Sequence, residues 1–176
     1  MILLRLAVGQ GSTPLDDWFH LADHSQLHVL SNLAKPLPLA ILGVTVVGVA
    51  LYRRWWRLAL AAAVFPPAAY LLVQFIKPWF GRVKGDGLAY PSGHITVTTV
   101  VLGLFVLVTG VAVWAVFVAF FYVGLAMVGV GSTFHYFTDT VGGVLLGTSV
   151  VCLAALVASR DLTRVNPDAI YVTRRG

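Results

Sequence analysis

The chain contains no glutamate, and its acidic residues are all aspartate. Charge of either sign is scarce: 11% of residues are charged, where a soluble domain carries about 25%. That shortage excludes an ordinary solvated surface. With 59% hydrophobic residues, it implies a surface that faces lipid. One cysteine, Cys152, lies in an apolar run; it excludes an intrachain disulfide, leaves the redox compartment open, and reads as a small core residue. No internal repeat, low-complexity tract or second, more polar domain interrupts the pattern. The net charge of +5 does not imply nucleic acid, because the cations form no stripe with polar neighbours. They fall in short clusters between apolar runs, as in membrane proteins.

Five apolar segments approach the roughly 20 residues needed to span a bilayer: 37–52, 58–76, 94–109, 111–130 and 140–159. Pro66 and Pro67 predict a kink in the second. Residues 1–8 are apolar apart from Arg5 and read as the shortened end of a further helix. Arg53, Arg54 and Arg57 follow the first span, and Arg160, Arg164, Arg174 and Arg175 follow the last. An alternating path puts both clusters on one side, which the positive-inside rule assigns to the cytoplasm. The other side receives 10–36, the loop 77–93 and the turn 131–139. Trp55, Trp56 and Trp79 fall at expected interfaces. The tail from Asp161 reads as a short solvated end. The expected fold is an all-α polytopic bundle forming one membrane-embedded domain over 1–176: an outer segment 1–36, a five-span core 37–159 and a cytoplasmic tail 160–176.

Polar residues concentrate at the outer ends of the spans. Lys77, Arg82 and Lys84 place three cations in eight residues, and Pro91-Ser92-Gly93-His94 then opens the third span. Ser92 is a good N-cap, and Gly93 lets a ligand approach the backbone. A helix start offers free N–H groups to a phosphate; the bland alternative is a capped helix with snorkelling lysines. Between the last two spans, His135 and Asp139 stand four apart, so a helical turn would put them on one face within hydrogen-bonding reach. A carboxylate on one imidazole nitrogen makes the other more basic; the bland alternative is a structural interfacial pair. The topology brings both histidines to the outer face beside the cations. That is an inventory for phosphoryl transfer through histidine: one imidazole attacks phosphorus, the other protonates the leaving oxygen, and cations hold the remaining oxygens. No metal or cofactor is needed for this division of labour.

These residues resemble the motifs of the type 2 phosphatidic acid phosphatase family: K-x6-R-P, P-S-G-H and S-R-x5-H-x3-D. The second is complete at Pro91–His94. The first keeps Lys77, with Lys84 and Gly85 where Arg-Pro is expected. The third keeps His135 and Asp139, with Val128 and Gly129 where Ser-Arg is expected. The resemblance covers about 37–158. It implies a six-span fold and a site facing outward in a cell membrane, bacterial by expectation. It makes His135 the nucleophile of a phosphohistidine, Asp139 its orienter and His94 the general acid. Lys77, Lys84, Ser92 and Gly93 would hold phosphate, with Arg82 able to replace the missing arginine. Glycine at 129 leaves space for water, for Arg82 or for a bulkier headgroup. The implied substrate is a lipid phosphomonoester or diphosphate, phosphatidate or polyprenyl. A binding relative without turnover and a phosphotransferase are the alternatives.

His20, His24 and His28, near Asp16, Asp17 and Asp23, could line one helix face and hold a divalent metal; a wet helix over the bundle mouth is the plainer reading. Thr96 and Thr99 are expected to bond neighbouring backbone. Gly142, Gly143 and Gly147 are expected to permit close helix contact rather than chemistry.

Overall fold

The computed structural model describes residues 8–9, 11–21, 26–84, 87–133 and 135–163, with backbone alone at 20–21 and 26–28. Helix α1, Pro14–Leu21, opens with a reciprocal cap. The Thr13 N–H donates to Asp16 Oδ2 at 2.9 Å, and the Asp16 N–H donates to Thr13 Oγ1 at 3.3 Å. That is a capping box with proline in the first turn. A 3-10 helix, Gln26–Ala34, follows. Then come α2, Pro36–Tyr52, and α3, Trp56–Phe80. A two-residue hairpin, β1 Val83–Lys84 against β2 Gly87–Leu88, leads to α4, Gly93–Val108, α5, Val113–Thr133, and α6, Phe137–Leu162.

The apolar segments read from the sequence are α2 to α6. Helices α3, α5 and α6, of 25, 21 and 26 residues, are long and apolar enough to cross a membrane; α2 and α4 are apolar but shorter. Helix α3 runs on through Pro66 and Pro67 and ends where Gly81 adopts φ 59°, its N–H donating back to Lys77 O, a left-handed stop that favours glycine. The interior is built from small side chains: Ala59, Ala61, Ala62 and Ala69 of α3 meet Val100 and Leu104 of α4 and Ala154 and Ala158 of α6. The large apolar side chains point outward, among them Leu71, Phe75, Phe117, Phe120, Phe121 and Leu156. Small residues inside and large ones outside mark a bundle dissolved in lipid, where close backbone approach drives packing.

Helix α4 is the most enclosed and touches α2, α3, α5 and α6. Its crossing with α6 depends on glycine, as expected. A Cβ at Gly143 would stand 2.7 Å from Ser92 O, one at Gly147 would stand 2.9 Å from Thr96 O, and one at Gly142 would meet the Tyr90 ring.

At the far end of the bundle the chain closes on itself. Asp161 Oδ2 accepts the N–H groups of Arg57 and Leu58 at 2.9 and 3.1 Å. It thereby caps α3, whose own N-cap residue offers no side-chain bond. Arg53 Nη1 donates to Val108 O at 3.0 Å. The solvated tail expected from Asp161 does not begin there: Asp161 is buried and satisfies two orphan donors, and residues 164–176 lie outside the described residues. Trp56 and Trp79 are exposed near opposite helix ends, but Trp55 is buried beneath the Arg53 guanidinium. Cys152, expected in the core, is exposed on α6. The further helix expected from residues 1–8 lies outside the described residues except for its last position.

Candidate active site

The hairpin loop and the turn between α5 and α6 meet at the other end of the bundle. Ser92 caps α4, its hydroxyl accepting from the Ile95 N–H at 3.5 Å. Its own N–H donates to the Asp139 carbonyl at 3.0 Å. This bond joins the segment carrying His94 to the segment carrying His135. The two imidazole rings stand with centroids 6.0 Å apart and planes tilted by 63°.

His135 lies just before α6. Its N–H donates to Val130 O at 3.1 Å, and its carbonyl accepts from Lys84 Nζ at 2.9 Å. The ring is nearly enclosed. Burial, then the charges of Lys77, His94 and Lys84, push its pKa down to about 3, against a smaller opposing effect from the Ala89 backbone. The ring is therefore neutral at neutral pH. The expected hydrogen bond to Asp139 is not formed. Nδ1 is buried without a hydrogen-bond partner among the described residues and stands 4.0 Å from Asp139 Oδ2, beyond hydrogen-bond length. The reason is that Asp139 belongs to its own helix. It is the third residue of α6, and Oδ2 accepts the Tyr136 N–H at 3.1 Å as part of a capping box.

Oδ1 of Asp139 is taken by Arg82. The Arg82 side chain is fully buried. Nη1 donates to Asp139 Oδ1 at 2.6 Å and Thr138 Oγ1 at 2.7 Å; Nη2 donates to Gly11 O at 2.7 Å and Asp16 Oδ2 at 3.0 Å. The guanidinium also lies 4.4 Å from the Tyr136 ring centroid. Arg82 is thus bonded to two carboxylates and does not line the cavity between α2, α3 and α4, where a phosphate ligand was expected. Asp16 completes the cluster by accepting the Thr138 N–H at 3.0 Å. Burial pushes Asp16 upward, but hydrogen bonds from Thr138 and Thr13 outweigh it and hold its pKa below the ordinary carboxylate value. Sequence reasoning missed Asp16 and Thr138 as partners of this site. The signal for Asp16 was its place in a Thr-x-x-Asp cap.

A cavity of about 870 Å³ runs between α2, α3 and α4. Its walls are apolar and small, including Leu39, Val44, Ala62, Pro66, Val97 and Val101, and Lys77, Gly93, His94 and His135 gather at its polar end. The lining extends along α3 from Ala62 to Lys77, a rise of about 22 Å for an ideal helix. The structure thus brings together Lys77, Gly93, His94 and His135 of the expected set. Ser92, Lys84 and Asp139 stand behind them: Ser92 and Asp139 hold the turns together, and Lys84 binds the His135 carbonyl.

Gly129 does not face this site. A Cβ there would collide with the backbone of Leu30 and Ser31 in the 3-10 helix. The space expected at 129 is filled by main chain, so neither water, Arg82 nor a headgroup occupies it. Thr96 bonds the Ser92 carbonyl at 2.8 Å, as expected, whereas the buried Thr99 hydroxyl has no partner among the described residues. The expected His20–His24–His28 face, with Asp23, lies outside the described side chains. No protein-family model, curated protein or solved structure matches the chain.

Proposed function

We propose that this protein is an integral membrane phosphatase acting on a lipid phosphomonoester or diphosphate through a phosphohistidine at His135. The observation that carries this reading is two histidines and a lysine grouped at the polar end of a long apolar cavity. A phosphate at that end would lie among His135, His94 and Lys77 while its hydrocarbon chain occupies the apolar length. The neutral His135 imidazole attacks phosphorus, the P–N bond forms, and the P–O bond breaks to the lipid alcohol of a monoester or to the lipid monophosphate of a diphosphate. His94 gives a proton to that oxygen and Lys77 faces the non-bridging oxygens. Water then attacks the phosphohistidine, His94 takes the water proton, the P–N bond breaks to restore the neutral His135 imidazole, and phosphate leaves. In this reading α2 to α6 all cross the bilayer, as in the six-span family, and the site faces away from the cytoplasm, with Arg53, Arg54, Arg57 and Arg160 at the cytoplasmic end.

A second reading, a binder of lipid phosphates with little turnover, draws on Arg82. With its guanidinium bound to Asp16 and Asp139, Lys77 is the one cationic side chain that lines the cavity among the described residues. Phosphate release from phosphatidate and polyprenyl phosphates, by purified protein in detergent with chelator present, tests both. The phosphatase reading expects turnover that vanishes in His135→Ala, together with a covalent phosphoenzyme that vanishes with it. Binding without release in the wild type would establish the second reading. Activity lost in chelator and restored by a divalent cation would sink the metal-free histidine mechanism.

A further inference from the structure

The cavity wall carries two polar groups that the phosphate chemistry does not use. Tyr70, Gln74 and Lys77 all line the cavity, and residues three, four and seven apart share one face of a helix. At 1.5 Å per residue, Gln74 lies about 4.5 Å and Tyr70 about 10 Å further from the polar end than Lys77, along the axis of α3. Gln74 is exposed, and its side-chain amide has no hydrogen-bond partner among the described residues. The same cavity is lined by the apolar residues Ala40, Val44, Val97 and Val101. An amide at that depth in a lipid-facing bundle is costly unless the occupant pairs with it.

We propose that Gln74 is a specificity-determining residue that donates to an ester carbonyl in the backbone of the bound lipid phosphate, with the Tyr70 hydroxyl placed to meet a second acceptor deeper in the cavity. This rests on the lipid-phosphatase reading of the same cavity. With the phosphate at Lys77, an acyl ester lies a few bonds below it, level with Gln74. A polyprenyl or ether-linked chain presents no carbonyl there and leaves the amide unpaired. A site that sets a hydrogen-bond donor against a substrate group discriminates against the analogue lacking it.

The probes are a diacyl phosphatidate, its dialkyl ether counterpart and a polyprenyl phosphate, each in detergent with wild type, Gln74→Leu and Tyr70→Phe. Wild type is expected to favour the diacyl lipid over the diether in kcat/KM by about tenfold, the upper range for one neutral hydrogen bond. Gln74→Leu should close that gap; Tyr70→Phe, which removes only a hydroxyl, should narrow it less. Equal values for ester and ether in the wild type, or a gap that persists in Gln74→Leu, would overturn the assignment. The thermal stabilisation given by the same three lipids supplies a readout free of turnover. If the wild type releases no phosphate from any of them, the phosphatase reading falls. The role of Gln74 is then decided by whether the ester-over-ether ranking in stabilisation is present and is lost in Gln74→Leu, or is absent from the start.

Discussion

Ser92 donates its backbone N–H to the backbone carbonyl of Asp139 at 3.0 Å, so main chain alone ties the turn before α4 to the first turn of α6. His94 is two residues from one end of this bond, and His135 is four residues from the other. The 6.0 Å separation of their rings therefore rests on backbone geometry and on the glycine-lined crossing of α4 with α6. The two histidines are set by the scaffold before any ligand arrives, which is what preorganised catalysis requires.

Arg82 is expected to act on stability before it acts on phosphate. Arg82→Ala leaves Asp16 and Asp139 buried without their cation, and breaking such a pair costs about 3–5 kcal/mol. The expected outcome is a large fall in melting temperature in detergent, with a smaller fall for Asp16→Asn. A variant that melts like the wild type while its KM for lipid phosphate rises would return Arg82 to the role of phosphate ligand.

At Gly129 the expected effect is loss of packing. Gly129→Ala forces a methyl group into the backbone of the 3-10 helix, an overpacking cost of about 1–3 kcal/mol, and Gly129→Arg should cost more. Faster phosphate release by a fully stable Gly129→Arg protein would show that the side chain reaches the site after all.

His135 carries a pH signature of defined sign. Its pKa in the folded protein is about 3, against an ordinary value of 6.5, so between these values the unfolded chain binds more protons than the folded one. Its contribution to stability is complete above the ordinary value and is lost as pH falls toward the folded one. Asp139, whose carboxyl pKa burial raises to about 6, acts in the opposite sense, so the signature is a difference: the melting temperature of wild type relative to His135→Asn should rise with pH across this window. The same slope in both proteins would show that other groups set it.

Asp161 is expected to matter for stability alone. Asp161→Ala removes the cap from the first turn of α3, a loss of about 0.5–2 kcal/mol, at the end of the bundle opposite His135. Melting temperature should fall while KM for lipid phosphate stays constant. A KM that moves with the melting temperature would mean that the two ends of α3 are coupled.

The helices were legible because lipid-facing segments must be continuously apolar; the segments at 37–52 and 140–159 became α2 at Pro36–Tyr52 and α6 at Phe137–Leu162. The meeting of His94 with His135 was legible from alternation alone. Partnership was not. Arg82 advertises a charge, but Asp16 lies 66 residues away and nothing local marks the pair. Gly129 looked like a missing side chain because its neighbour, the 3-10 helix, leaves no periodic trace beside it. Asp139 sits four residues from His135 in both views, yet its role in capping α6 won the competition for its Oδ2 lone pairs. The β1–β2 hairpin, with two residues per strand, is too short to impose a period of two.

The clasp between Asp161 and the start of α3 bears on how the protein is made. Its acceptor is encoded 104 residues after Arg57, an interval of about 5–20 s of synthesis at ordinary elongation rates. Until Asp161 is made, the leading amides of α3 lack this cap and must find transient partners among water and lipid headgroups. Only when the last helix arrives does α3 receive its cap, so the final residues of the bundle complete a helix that began to form near its start.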